Sequence, residues 1–514
     1  MNMNDFFEKG VARFPDRDAV RHGARSWTFR ELDALVGRIA TALLDSGLDA
    51  GDRVAIYAPN GIWTYACQYA IHRAGMVWVP INYRNTGADA IASLDKLEIN
   101  WLFLGEAQAE GLEGARERLP SLRGMIHFGA GEGGIEDWLA RERAPRTFPP
   151  REAADTAMIA SSSGTTGAPK GIVLSNRSVA AALNHLRIVS EITRPPVHLV
   201  VAPLSHSAGL YAAALMPAGG TSVFIDKTDP LSIMKAIQDE GITTLFLPPT
   251  LIYMMIAHPE AGEFDFSSLD LIVYGAAPMS ASKLAEAAKL FGHKLAQGYA
   301  QFEAPMGCTY LSTQDHREAL ENPGLVHRLR SAGREGALVR LEIMGDDGEI
   351  MGPNERGEIV VRGEIVMDGY YKDEAATAAT RRNGWHLTGD VGYKDEDGFV
   401  YIVDRKKEMI VSGGFNIYPA EVEQTAMAHP AIRDCAIIGV PDDKWGEAVM
   451  AVVELREGVE FDADSFIAFC KERVGSMKAP KSVVVHDNMP RSAVGKVLKR
   501  TLRDQYWEGR ERAI

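Results

Sequence analysis

Between Gly51 and Asn82 the chain reads GDRVAIYAPN, then GIWTYACQYAIHRAG, then MVWVPIN. The pattern predicts strand, helix and strand, and two strands joined through one helix lie parallel with a right-handed crossover. That unit commits the chain to a sheet covered by helices, an α/β layered fold. The alternation returns at HLVVAPLSHSAGLYAAALMPAGGTSVFID and GITTLFLPPTLIYMMIAHP, and LDLIVYGAAPMS adds a further strand and turn. Upstream, WTFRELDALVGRIATALLDSGL predicts an amphipathic helix. Thr28 and Glu31 have capping-box spacing, Leu32, Leu35, Val36, Ile39, Leu43 and Leu44 repeat at helical intervals, and Gly47 ends it.

After about residue 325 the texture changes to short β-rich pieces such as VRLEIMGDDGEIMG, RGEIVVRGE and DEDGFVYIVDRKK. Beyond Asp404, YPAEVEQTAMAHP, DCAIIGVPD, AVMAVVEL and DSFIAFCKERV predict a small α+β domain. The expected architecture is a large N-terminal multi-subdomain α/β body with a β-rich segment, residues 1–404, and a small mobile α+β C-terminal domain, residues 405–514. A chain of 514 residues, 46% hydrophobic and 24% charged, has room for several cores.

A net charge of −14 argues against general nucleic-acid or anionic-membrane binding and leaves a small molecule as the expected partner, with a homodimer as an open alternative. The four cysteines, Cys67, Cys308, Cys435 and Cys470, lack paired metal or redox spacing and read as ordinary reduced residues. The N-terminal stretch has no apolar signal core, and no apolar run reaches the about 18 residues that a membrane span needs. The default expectation is the cytoplasm, without an integral membrane segment.

The stretch SSSGTTGAPKG, Ser161 to Gly171, gathers hydroxyls, glycines and one lysine. These could surround a phosphate with O–H and N–H donors, and Lys170 adds a mobile positive charge. The Walker pattern is absent, because Pro169 precedes Lys170 and Gly171 follows it. A polar surface turn is the plain alternative. The flanks favour a built loop: DTAMIAS and GIVL predict two strands and Ser175 a helix N-cap, so a donor-rich hairpin turn would be aimed outward from a sheet.

Five motifs, SSSGTTGAPKG, GYAQFE, WHLTGD, YIVDRKKEMIVSGGFNIYPAEVE and PRSAVGK, follow one another in this order. In that order the chain resembles the adenylate-forming superfamily of acyl-CoA synthetases, aryl-CoA ligases, luciferases and peptide-synthetase adenylation domains. The resemblance covers nearly the whole chain and is closest to an acyl-CoA synthetase. It implies an acid–thiol ligase: acid plus ATP gives an acyl-adenylate and pyrophosphate, and CoA then releases acyl-CoA and AMP. ATP, Mg²⁺ and CoA are the implied cofactors, and the acid is fatty, aromatic or alicyclic.

The resemblance also assigns residues. Ser162, Ser163, Gly164, Thr165, Thr166 and Lys170 would hold the β- and γ-phosphates. Gly275, Ala276 and Ala277 would pass beside the adenine, where small side chains allow close approach. In QGYAQFE, Gln297 and Gly298 belong to the nucleotide site, Tyr299 would stack on the purine, and Glu303 would offer a hard carboxylate oxygen to Mg²⁺ and act in catalysis. Asp390 and Arg405 would reach the ribose, although an Asp there reads equally as a hairpin-turn residue. Lys407 aligns with the hinge about which the small domain swings. Gly413 and Gly414 would leave room for pantetheine. Lys496 is the catalytic candidate, a point charge for the acid carboxylate and α-phosphate, whose alternative is one more exposed lysine in a basic tail with Lys499, Arg500 and Arg503. His206 and the small residues Ser207, Ala208 and Gly209 fall near the acyl pocket, and LFLPPTLIYMMI could line a tunnel or a core.

One departure stands out: relatives usually carry Gly at 300 and Thr at 302, where this chain has Ala300 and Phe302. The Thr hydroxyl contacts the α-phosphate in relatives, and Phe cannot donate a hydrogen bond. A missing donor to a developing oxyanion costs about 3–4 kcal/mol. Two further readings follow, an aryl-acid CoA ligase and a weakly active homologue that holds an acyl-adenylate or nucleotide. Amino-acid activation is disfavoured, since PLSHSAGLYAA has no acidic residue for an α-ammonium group.

Overall fold

The computed structural model describes residues 1–112, 114–161, 170–413, 415–442, 444–491 and 497–508. The strand–helix–strand unit forms as expected: Arg53–Tyr57 and Val77–Pro80 are parallel neighbours joined through helix Ile62–Arg73. They belong to a seven-stranded sheet that runs in space from Gly369–Tyr370 through Gly171–Ser175, Thr156–Ser161, Val77–Pro80, Arg53–Tyr57 and Trp101–Leu104 to Gly124–His127. A nine-stranded sheet runs from Arg334–Glu335 through Ala304–Leu311, Leu295–Gln301, Leu271–Gly275, Thr244–Leu247, Val197–Leu199, Thr221–Phe224 and Asp18–His22 to Arg25–Thr28.

Helices packed between the two sheets explain why so many side chains are apolar on all faces. Helix Ile62–Arg73 buries Tyr65, Cys67, Tyr69 and Ile71 together, and helix Ser207–Leu215 buries Leu210, Tyr211 and Leu215. These join Phe29, Val54, Trp78, Phe103 and Phe224 in the central core. The helix Phe29–Asp45 starts at the expected capping box, with Thr28 accepting from Glu31 N. Outer cores cover the far face of each sheet, around Ile237, Leu245 and Phe291 on one side and Ala55, Leu94 and Leu102 on the other.

The β-rich segment forms a five-stranded antiparallel sheet in which Trp385–Lys394 pairs with Gly357–Gly363 on one side and Val400–Arg405 on the other. The last part of the chain has its own sheet, with Gly446–Leu455 beside Ile432–Asp442 and Ser482–Val485, and its own core of Ile410, Val422, Ile437, Val449, Phe466 and Cys470. Cys67, Cys308, Cys435 and Cys470 are free and buried. Among the described residues no helix is long and apolar enough to cross a membrane.

Candidate functional site

Two strand pairs aim the site. Leu295–Gln301 and Ala304–Leu311 form a hairpin whose register, Gln301 opposite Ala304, puts Phe302 and Glu303 alone at the turn. Trp385–Lys394 and Val400–Arg405 form the second pair, in which Asp390 lies opposite Arg405. Asp390 is therefore a strand residue inside WHLTGDVGYK; the hairpin turn comes after Lys394, and the turn-residue alternative is corrected. Tyr299 joins the two pairs by donating its hydroxyl to Asp390 Oδ2 at 2.6 Å, and Arg405 Nε meets Oδ1 at 3.1 Å.

Asp390 is 4% exposed, so its charge is held in place by those two partners rather than by water. Burial pushes the Tyr299 hydroxyl well above its ordinary value, reinforced by Asp390, so it stays a donor. Burial alone would lower the Arg405 guanidinium, yet Asp390, Glu408, Tyr299 and Glu303 together hold it above its ordinary value.

A second chain of contacts starts at Lys170, the first described residue after the glycine-rich stretch. Its ammonium lies 4.7 Å from the ring centre of Tyr370, whose hydroxyl donates to Glu303 Oε1 at 2.9 Å. Tyr370 is placed by the short strand Gly369–Tyr370, which pairs with Gly171–Ser175 directly after Lys170. Sequence reasoning missed Tyr370, and nothing in DGYYKDE marks which tyrosine meets Glu303. Lys407 sits in the same field: burial first, then Lys170 and Arg405, lower its pKa, while Glu303 opposes them.

Glu303 uses one oxygen for Tyr370 and keeps Oε2 without a hydrogen-bond partner among the described residues. Among those residues no three His, Cys, Asp or Glu side chains gather around one point. This donor set fits Mg²⁺, which is commonly held by one or two carboxylates together with substrate phosphates.

Gly275 and Gly298 are register partners on neighbouring strands, and a Cβ on Gly275 would sit 2.8 Å from the Gly298 carbonyl oxygen. Ala276 follows with φ of 69° and, like Ala277, is exposed, so the backbone lies open at the strand ends. Gln297 is 7% exposed beneath them. His206 precedes helix Ser207–Leu215, lies 3.0 Å from Ser205 Oγ through Nδ1, and has its ring 5.7 Å from that of Phe302. Burial, then Arg84, pushes His206 down to about 4. Ala208 is buried in the central core, and Phe302 packs against the same core. In LFLPPTLIYMMI, Ile252 and Met255 are core residues, whereas Thr250, Tyr253 and Met254 line an opening of about 660 Å³ shared with Arg433, Asp434, Glu454 and Arg491.

Gly413 has φ of 58° and is exposed, and a Cβ there would meet the Trp445 ring at 2.6 Å. Ser162, Ser163, Gly164, Thr165, Thr166, Gly414 and Lys496 lie outside the described residues. The basic tail is corrected at Lys499. It is 16% exposed and bonds Glu423 Oε1 at 2.7 Å and Glu408 Oε2 at 3.2 Å, and these partners hold its pKa above the ordinary value against burial. Asp404 stands close by, with Oδ2 accepting from Ala420 N at 2.8 Å.

A profile described as AMP-binding enzyme matches residues 7–371, and one described as AMP-binding enzyme C-terminal domain matches residues 421–496. The chain is 34% identical over 499 residues to a feruloyl-CoA synthase of Amycolatopsis sp, covering 96% of each. It is 39% identical over 358 residues to the medium/long-chain-fatty-acid–CoA ligase FadD8 of Mycobacterium tuberculosis, covering 68% of this chain and 61% of that one. The ATP-bound crystal structure of MatB from Rhodopseudomonas palustris superposes with a TM-score of 0.87 at 28% identity, over 98% of this chain and 99% of that one.

Proposed function

The chain belongs to the AMP-binding enzyme family and is an AMP-forming acid–CoA ligase that uses ATP, Mg²⁺ and CoA, and from that premise we propose how its residues divide the work. The acid carboxylate attacks the α-phosphorus and pyrophosphate leaves, so negative charge builds on several phosphate oxygens together. Lys170 carries positive charge to the leaving group, with Ser162, Ser163, Gly164, Thr165 and Thr166 as its donors. Asp390, braced by Tyr299 and Arg405, takes the ribose hydroxyls, and the Tyr299 ring faces the purine. Glu303 offers Oε2 to Mg²⁺, which when bound neutralises polyphosphate charge.

The observation that carries this reading is convergence. Lys170, Tyr299, Glu303, Tyr370, Asp390 and Arg405 come from separate strands or strand ends and form two polar chains. We place the domain boundary at 404/405, with Lys407 as the hinge and Lys496 carried in by the small domain for adenylation. Gly413 and Gly414 leave space for the pantetheine arm. We place the enzyme in the cytoplasm, in keeping with four free buried thiols.

The Phe302 ring, tilted against His206 at 5.7 Å, favours an aryl acid over a fatty acid, since an aromatic ring beside the acid can pair edge-to-face or offset with a second ring. AMP formation measured with CoA across fatty, aryl and alicyclic acids tests both parts. Turnover best with aryl acids supports the reading, preference for straight-chain acids overturns the aryl assignment, and no AMP with any acid leaves a binding-only protein.

A further inference from the structure

Beneath the open backbone at Gly275 and Gly298, a chain of buried polar groups ends on Gln297. Ser312 caps helix Thr313–Glu321, and its carbonyl oxygen lies 2.8 Å from His316 Nδ1. A carbonyl only accepts, so Nδ1 carries the ring proton. Burial pushes His316 down to about 4, against smaller opposing effects from the Ser312 carbonyl and Asp315, so the ring is neutral at neutral pH and Nε2 is an acceptor.

His316 Nε2 lies 2.8 Å from Tyr274 Oη, which therefore donates its single proton to it. Tyr274 Oη also lies 3.0 Å from Gln297 Oε1. With its proton committed to His316, the hydroxyl can only accept from Gln297, and two facing acceptors repel. A half-turn of the amide, which exchanges Oε1 and Nε2 in the same space, makes the nitrogen the group facing Tyr274 and satisfies the whole chain. The Gln297 carbonyl then points away from Tyr274, which is the only side-chain hydrogen-bond partner of Gln297 among the described residues.

We propose that Tyr274 and His316 are positioning residues for nucleotide choice, holding the Gln297 carbonyl toward the base so that it accepts from an amino group at purine position 6 and opposes a carbonyl there. The inference rests on the reading of Gln297 as part of the nucleotide site. The three residues are 0%, 2% and 7% exposed in the order Tyr274, His316, Gln297, so water does not compete for these bonds. Tyr274 and Gln297 are register partners one position before Gly275 and Gly298, which puts the relay directly under the strand ends where nucleotides bind in such sheets.

The test compares ATP with inosine triphosphate, which carries a carbonyl at position 6. Tyr274→Phe removes the hydroxyl and frees the amide to rotate. Preference for ATP in kcat/KM should fall about tenfold, equivalent to about 1.4 kcal/mol, through a higher KM for ATP and a lower one for inosine triphosphate with kcat little changed. His316→Phe, which removes the acceptor that commits the proton, should do the same, and the double variant should add little to either. A merely structural network would lower thermal stability and leave the preference at its parental value. Gln297→Leu separates the two layers. If it leaves both ATP KM and the preference intact, Gln297 does not contact the base. If it abolishes the preference while the Tyr274 and His316 variants keep it, the relay is overturned.

Discussion

Asp404 and Arg405 are neighbours at the end of one strand, and alternation sends their side chains to opposite faces. Arg405 meets Asp390, which is braced by Tyr299, entirely within paired strands that precede Lys407. Asp404 meets Ala420 N and the field of Lys499, both beyond Lys407. In the proposed reading the first face is a fixed frame for a nucleotide. The second spans the proposed hinge, where any rotation must break or remake contacts. On that reading one strand end carries a preorganised site on one face and the proposed joint on the other, and the two should fail differently when altered.

The largest expected effect lies with Lys496, the residue the joint is proposed to deliver. Lys496→Ala should slow pyrophosphate release in adenylation by about 10²–10³, the scale of losing one group that stabilises transition-state charge. Thioesterification of a supplied acyl-adenylate should be nearly unchanged, and equal loss in both half-reactions would refute the role.

Next comes the joint itself. Lys499→Met leaves Glu423 and Glu408 without their shared cation, and breaking a largely buried pair costs about 3 kcal/mol, seen as a lower melting temperature. The pH dependence has a definite sign. Burial already holds the Glu423 carboxyl above its ordinary value, with Lys499 opposing, so the carboxyl rises further without the lysine. A carboxyl with a higher pKa folded than unfolded favours the fold as pH drops through the raised value, so the variant should regain melting temperature relative to the parent as pH falls from neutrality toward the ordinary carboxylate range. A constant gap between the two proteins would argue against the pairing.

On the fixed face, Asp390→Asn weakens charge-assisted bonds worth about 1.5–3 kcal/mol, so the KM for ATP should rise about 10–100-fold while the KM for the acid holds. A parallel rise in both would mean that Asp390 organises the whole cleft.

The smallest effect belongs to Phe302. Because its ring packs against His206 and the central core, Phe302→Thr should raise the acid KM about fivefold, a loss of about 1 kcal/mol of apolar contact, and slow the pyrophosphate burst. A faster burst would instead restore the missing-donor account.

Local and periodic features were readable from the chain. Thr28 and Glu31 announce a capping box because both partners lie within one turn, and the unit from Gly51 to Asn82 follows from apolar spacing. The strands on either side of Ser162–Pro169 and the N-cap at Ser175 were legible for the same reason. The Tyr299–Asp390 bond joins residues 91 apart, and Tyr370 reaches Glu303 across 67, so only strand pairing brings them together. Lys499 misled because a lysine in a basic tail is normally solvated, and its burial depends on Glu408 and Glu423 from two other elements. His316 and Tyr274 carried no signal at all, since a buried His and Tyr look like core residues until their donors and acceptors are counted.

The core formed by Ile410, Val422, Ile437, Val449 and Phe466 draws on no residue before the proposed hinge. That self-sufficiency makes the C-terminal part an exchangeable cassette. Recombination between relatives at 405–409 would leave both hydrophobic interiors whole and would have to match a seam that includes the Asp404 carboxylate against the Ala420 amide, Arg356 over the Tyr418 ring and the opening between Tyr253 and Arg491. On the proposed reading, acid preference set in the large body around His206 and Phe302 would travel with that body, so the acid chosen and the acyl acceptor served could change hands separately over the history of such enzymes.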